Sequence, residues 1–229
     1  MNTQGEPPRV DFSLYLITDR RGCGGRYLVS VVAEALKGGV KAVQLREKDL
    51  SSRELYELAR EMREITSHYN ALLFINDRID IAMAVAADGV HMGHGSIPIQ
   101  GARKLLGVEK LIGVSCHGRE SAVAAQEKGA DFITYGPVFH TPSKAKYGHP
   151  VGIESLREVT PLLRIPVFAL GGITSRNTRQ VLDAGANGIS LISAVMAAEN
   201  PREEAKTLLA LLPPVMLIRR VNHARKLYP

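Results

Sequence analysis

The segment Gln44-Leu45-Arg46-Glu47-Lys48 closes an apolar run, Ala42-Val43-Gln44-Leu45, that reads as a buried strand. Alternate residues of a strand share a side. Gln44, Arg46 and Lys48 therefore converge if the extended conformation persists to Lys48. One amide and two cations at a strand's C-terminal end suit a polyphosphate. A guanidinium grips such an anion through two parallel hydrogen bonds, and an ammonium adds a compact charge. The same five residues would also serve as an ordinary charged strand end in solvent.

Comparable groups recur along the chain. Asn76-Asp77 ends another apolar run. Its carboxylate can give an oxygen to Mg²⁺, a cation that usually keeps waters and bridges substrate phosphates, or it can cap the following helix. Thr141, Ser143 and Lys144 bring two hydroxyls and a further cation. Gly171-Gly172 and Ile192-Ser193-Ala194 resemble the turns through which barrels hold phosphate on backbone N–H groups. Two separate anion sites imply two phosphorylated substrates or one elongated one. Ser115-Cys116-His117 ends a further run; Cys116 reads as a small buried residue before it reads as a nucleophile. The spacing of His91 and His94 is no zinc signature without a nearby Cys. No P-loop or Gly-x-Ser-x-Gly elbow is present.

These groups need elements to bring them together. Four segments echo one another, each with small residues, a polar turn residue (Lys41, Asp88, Asp131, Asn187) and then a strand. They recur about every 50 residues, roughly two βα units of a barrel, which makes them even-numbered strands. Odd strands fall between them at 14–19, 72–76, 111–116 and 166–171. The clearest helical patterns cover 51–69, 119–128, 153–163, 175–184 and 201–212, with a long loop after the sixth strand. Ser51 and Glu54 form a capping box by sequence, and Gly129 and Gly185 fit helix stops.

Eight strands alternating with eight helices predict a single (β/α)8 TIM barrel spanning residues 1–229, with a core of about 13–212 and a basic tail over 213–229. A doubly wound open sheet is the alternative. In the barrel every strand end named above falls on one rim, where active sites of this fold lie.

Composition narrows the function classes. The chain has 229 residues, 45% hydrophobic and 23% charged, as expected of a globular enzyme. Its net charge of +6 invites an anionic partner. With aromatics at 5% and no Trp, stacking platforms for nucleic acid are poorly supplied, so a phosphorylated metabolite is the better match. Two cysteines make no disulfide framework, and no segment approaches a membrane span or a signal-peptide core. The expectation is a cytoplasmic protein with no nucleic-acid or membrane partner; homo-oligomerisation stays open.

In this order the residues resemble the thiamine-phosphate synthase and thiazole tautomerase family of (β/α)8 barrels. The matching pieces are 15–19, 43–48, 74–77, 87–93, 113–117, 135–144, 169–173 and 184–194, within about residues 14–210. The resemblance implies a transferase of thiamine biosynthesis. It would join aminopyrimidine pyrophosphate to thiazole phosphate with Mg²⁺ and release pyrophosphate. It also implies that Gln44, Arg46, Lys48, Asn76, Ser115, Thr141, Ser143 and Lys144 hold the pyrimidine pyrophosphate, that Asp77 holds Mg²⁺, and that Gly172, Ile192 and Ser193 hold the thiazole phosphate. One position departs from the pattern: Ser96 stands where synthases of the family usually carry a second Mg²⁺-binding Asp. That serine, together with His117 after the fifth strand, also matches the tautomerase branch. A non-catalytic thiazole- or thiamine-phosphate sensor is the third reading. The retained Arg46, Lys48, Asn76, Asp77 and Lys144 favour the synthase.

Overall fold

The computed structural model describes residues 10–141 and 149–214. Its strands are Leu14–Ile17 (β1), Ala42–Leu45 (β2), Leu72–Asn76 (β3), Gly89–Met92 (β4), Leu111–Cys116 (β5), Phe132–Tyr135 (β6), Val167–Leu170 (β7) and Gly188–Leu191 (β8). All pair in parallel, and β8 closes on β1 through Leu14↔Ile189 and Leu16↔Leu191. Closure excludes the open sheet. The strands are buried on both faces, as their near-continuous apolar runs require.

The helices are Leu28–Lys37 (α1), Ser52–His68 (α2), Ile79–Ala84 (α3), Ile99–Leu106 (α4), Arg119–Glu127 (α5), Gly152–Val159 (α6), Thr178–Asp183 (α7), Ser193–Met196 (α8) and Pro201–Ala210 (α9). Among the described residues there are thus nine α-helices rather than the expected eight, because one turn, α8, precedes α9 after the last strand. Ser51 and Glu54 make both bonds of the capping box, and Gly129 and Gly185 end their helices at φ 95° and 92°. The expected helix 175–184 starts late, because the Asn177 carboxamide accepts the Thr174 N–H and holds a turn there. No helix among the described residues is long and apolar enough to cross a membrane. The basic tail from residue 215 onward lies outside the described residues.

The barrel interior is filled by rings. Tyr15, Phe74, Phe132 and Phe168 point inward, and Phe12 plugs the lower end, stacked on Phe168 at 4.9 Å and edge-on to Phe132 at 5.5 Å. Glycines on neighbouring strands make room for them. A Cβ on Gly113 would lie 2.4 Å from the Phe132 ring, and one on Gly89 2.9 Å from Phe74. This aromatic layer is the floor on which the upper rim stands.

The echoed segments have a structural cause at the opposite, N-terminal end. Asp88 accepts the Leu73 N–H at 2.8 Å, Asp131 accepts the Ile112 N–H at 2.7 Å, and Asn187 accepts the Val167 N–H at 2.8 Å. Each residue's own N–H returns to the carbonyl of the same partner. The even strands β4, β6 and β8 are each pinned to their predecessors this way. Before β2 the echoed residue is Lys41, which has no acceptor side chain; its carbonyl accepts the Leu72 N–H of β3, as the Asp88 carbonyl accepts the Leu111 N–H. Arg63 and Arg103 neutralise Asp88 and Asp131, each at 2.6 Å.

Candidate active site

Directly above the aromatic floor lies a buried polar chain. Gln44 donates to the Tyr15 hydroxyl at 3.2 Å, and Tyr15 faces His91 Nδ1 at 3.4 Å. His91 Nε2 meets the Ser115 hydroxyl at 3.0 Å, and Thr134 donates to the same oxygen at 3.3 Å. Since Tyr15 already accepts from Gln44, its proton goes to Nδ1, and the neutral imidazole then donates from Nε2. Ser115 Oγ therefore accepts twice, and its own proton is left to be donated elsewhere. The strand pleat explains the set: Gln44, His91, Ser115 and Thr134 all take inward positions of their strands.

Burial lowers His91 from 6.5 to about 3; the Asp77 carboxylate opposes the shift and the Arg46 charge adds to it. The unfolded chain protonates near 6.5, whereas the folded one keeps the ring neutral. Stability contributed by the neutral ring is therefore present above about 6.5 and is lost as pH falls toward 3, by at most about 1.4 kcal/mol per pH unit. Between pH 7 and pH 5 the wild type should lose about 2 kcal/mol more than His91→Gln. Urea unfolding of both proteins at the two pH values measures this; equal losses would remove His91 as the cause.

Arg46 follows Gln44 on the inward side. β2 ends at Leu45, however, and Lys48 lies in a turn. Simple alternation therefore accounts for Gln44 and Arg46 but not for Lys48. The turn brings Lys48 Nζ to 3.9 Å from Asp77. Every other half-buried arginine among the described residues is anchored, for example Arg63 on Asp88, Arg103 on Asp131 and Arg26 on the Met196 carbonyl. The Arg46 guanidinium has no carboxylate partner among the described residues. It is a desolvated cation, poised for an anion.

Asp77 does not cap α3, whose N-cap is Arg78. It adopts φ 60°, a left-handed conformation that Asp tolerates better than most residues, and its carboxylate stays at the rim. Asn76 donates to Oδ2 at 2.8 Å, and the Ser96 hydroxyl donates to Oδ1 while accepting the Gly93 N–H at 2.7 Å. Ser96 thus meets Asp77 across 19 residues of sequence. A cavity of about 250 Å³ beside this cluster is lined by Glu47, Lys48, Asn76, Asp77 and Arg78, with Leu45, Leu50 and Leu55 as its apolar wall against α2.

His117 is exposed, and its Nδ1 donates to the Gly136 carbonyl, which leaves Nε2 as the acceptor. Cys116 is buried, and burial pushes its thiol up to about 12, so it is no nucleophile at neutral pH. Across the mouth, Gly172 has φ 64°, and a Cβ there would sit 2.7 Å from the His140 carbonyl. Only glycine lets this turn lie against the loop after β6, whose Phe139 N–H bonds the Gly171 carbonyl. Ile192 and Ser193 open α8 beside it. Thr141 is the last described residue before 142–148; Ser143 and Lys144 lie outside the described residues.

Glu47, Thr18, Tyr15 and His91 were not assigned to the site from sequence. Glu47 accepts from the Thr18 hydroxyl at 2.7 Å and the Arg20 N–H at 3.1 Å. Burial raises its carboxyl above the ordinary value, and both bonds oppose that rise. The available signal was the Gly89-Val90-His91 alternation, which puts His91 on the same inward face as Gly89.

The chain is similar to known proteins over nearly its whole length. The family described as thiamine monophosphate synthase matches residues 14–195. A Geobacter sulfurreducens protein provisionally named a thiamine-phosphate synthase is 61% identical over 206 residues, which is 90% of this chain and 97% of that one. The thiamine-phosphate synthase of Clostridium novyi is 46% identical over 87% of this chain and 98% of its own. The solved thiamine phosphate pyrophosphorylase of Pyrococcus furiosus superposes with a TM-score of 0.81 at 41% identity, over 88% of this chain and 95% of that one. With a family match running from the first strand of the closed barrel to the last, the chain belongs to the thiamine monophosphate synthase family.

Proposed function

We infer that the protein is a thiamine-phosphate synthase. It joins 4-amino-2-methyl-5-hydroxymethylpyrimidine pyrophosphate to thiazole phosphate. The thiazole nitrogen forms a bond to the exocyclic methylene carbon, the C–O bond to pyrophosphate breaks, and its electron pair leaves on the pyrophosphate oxygen. The attacking nitrogen carries no proton, so the reaction needs no general base. Its main demand is stabilisation of the departing polyanion by preorganised charge. The observation that carries this reading is the half-buried Arg46, which has no carboxylate partner among the described residues, in the same segment as the Lys48 that meets Asp77.

In this reading Arg46 and Lys48, with Lys144, Thr141 and Ser143, take the pyrophosphate. Gln44 and Ser115 orient the pyrimidine, Ser115 through the proton its two donors leave available. Asn76 holds Asp77 in place. Gly172, Ile192 and Ser193 receive the thiazole phosphate, separated across the barrel mouth so that the two anions do not compete. His117 borders the pyrimidine side. The Asp77 carboxylate and the Ser96 hydroxyl offer hard oxygens at the rim, and they would suit a Mg²⁺ held by one carboxylate and completed by substrate phosphates, with the Asn76 amide steadying Oδ2. When bound, the ion neutralises charge on the pyrophosphate. A cytoplasmic setting suits the two buried, unpaired cysteines.

The test is incubation of purified protein with both substrates, with and without Mg²⁺. Thiamine phosphate forms in its presence; none at any Mg²⁺ concentration refutes the synthase. The tautomerase reading, drawn from Ser96 and His117, predicts instead metal-independent isomerisation that His117→Ala abolishes. A second carboxylate should strengthen metal binding, so Ser96→Asp is expected to lower the Mg²⁺ needed for half-maximal rate about tenfold. Mn²⁺ binding followed by electron paramagnetic resonance should tighten in parallel. An unchanged metal affinity would mean that position 96 does not face the ion.

A further inference from the structure

Glu47 stands between two cations in sequence, Arg46 and Lys48, yet pairs with neither. Its side chain is only 4% exposed and turns toward the neighbouring strand end. There Thr18 Oγ1 donates to Oε1 at 2.7 Å, and the Arg20 N–H reaches both carboxylate oxygens at 3.1 and 3.3 Å. Thr18 Oγ1 in turn accepts the Arg46 N–H at 2.9 Å. The result is a closed loop: Glu47 holds Thr18, and Thr18 holds the backbone of the residue just before Glu47. It forms where β2 ends and the chain leaves extended geometry. Farther along, Arg20 and Arg21 both grip Asp49 at 2.6 Å and fix the other side of the turn.

We propose that Glu47 is a positioning residue for the pyrophosphate clamp, acting through Thr18 to set the backbone from which Arg46 and Lys48 project. The proposal rests on the synthase reading, since pyrophosphate is the clamp's ligand. A carboxylate buried beside the site has no proton to remove in this reaction. Its visible partners are the Arg20 N–H, a positioning hydroxyl and, at 3.9 Å, the Arg20 guanidinium. An anion within the clamp's own turn would repel the ligand if it faced outward; turned inward and held by two donors, the Thr18 hydroxyl and the Arg20 N–H, it orders the turn without meeting the pyrophosphate. A displacement of about 1 Å in such a turn is enough to matter, since misplacement on that scale costs on the order of 100-fold in comparable sites.

Glu47→Gln keeps the volume but sets an NH₂ group where the Arg20 N–H or the Thr18 hydroxyl needs an acceptor. Thr18→Val removes the relay hydroxyl without touching Glu47, and Thr18→Ser retains it. The readouts are the affinity for inorganic pyrophosphate with Mg²⁺ by calorimetry, and KM for each substrate. Glu47→Gln and Thr18→Val are expected to weaken pyrophosphate binding about tenfold or more and to raise KM for the pyrimidine pyrophosphate alike. KM for thiazole phosphate stays within about twofold, and Thr18→Ser behaves as wild type. A merely structural role would raise both KM values together, which overturns the proposal. So does pyrophosphate affinity within about twofold of wild type in the folded Glu47→Gln and Thr18→Val proteins. A wild type that binds pyrophosphate but forms no thiamine phosphate refutes the synthase reading alone, and the affinity comparison still decides the role of Glu47. A wild type that neither binds pyrophosphate nor forms thiamine phosphate overturns both.

Discussion

Arg46→Ala is expected to lower kcat/KM for the pyrimidine pyrophosphate by about 100- to 1,000-fold, the range seen when one preorganised donor to developing charge is removed. The side chain is half-buried and, among the described residues, has no carboxylate to neutralise it. Its charge falls on the same space as Asp77 and acts on the His91 ring below. A cation left in this state costs folding energy rather than supplying it, so its removal should leave the urea midpoint unchanged or slightly raised. Arg46→Lys restores the charge but not the planar fork, and should recover only part of the lost rate. Initial-rate kinetics with each substrate varied, alongside unfolding curves, measures both effects. A loss below about fivefold, or a loss that tracks stability, would remove Arg46 from the leaving-group site.

The largest effect on stability is expected at the other end of the barrel. Asp131→Ala should destabilise the fold by about 3–5 kcal/mol, the usual result of breaking one side of a buried ion pair. Asp131 and Arg103 are 4% and 17% exposed and meet at 2.6 Å. The alanine variant strands the guanidinium and also leaves the Ile112 N–H without its side-chain acceptor. Asp131→Asn should cost less, because Asn187 already performs this task for Val167 with a carboxamide. Kinetics of any variant that stays folded should be close to wild type, because the pin lies below the aromatic floor and the site above it. Urea unfolding of both variants gives the comparison; equal losses in Ala and Asn would mean that the ion pair, and not the N–H bond, is what matters.

These two residues also show how legible the molecule was. The echo of Lys41, Asp88, Asp131 and Asn187 was visible as a repeat and implied even-numbered strands, which is where they stand. Its cause, a side-chain oxygen returned to the preceding strand's N–H, required coordinates. Gln44 and Arg46 were placed correctly by alternation. Lys48 reached the same rim by another route, through a turn that no strand periodicity describes. Glu47 was passed over because a carboxylate between two cations looks like a solvated charge run, and nothing local reveals that it is buried against Thr18. The capping reading of Asp77 failed for a similar reason: a left-handed residue before α3 directs the carboxylate to Ser96 and Lys48 instead of the helix N-terminus.

The sequence by itself determined the number and order of strands and favoured a (β/α)8 barrel, whereas the pairing of β8 with β1 is what closed it. The number and order follow from hydrophobic periodicity, helix caps and the length of each βα unit, all of which act over a few neighbouring residues. Tertiary structure alone decided which polar groups meet: Ser96 with Asp77, Glu47 with Thr18, and Tyr15 with Gln44 and His91. Such pairings depend on where each strand stops being extended and on the register between strands. They are set by packing around the whole barrel, so no single stretch of the chain encodes them.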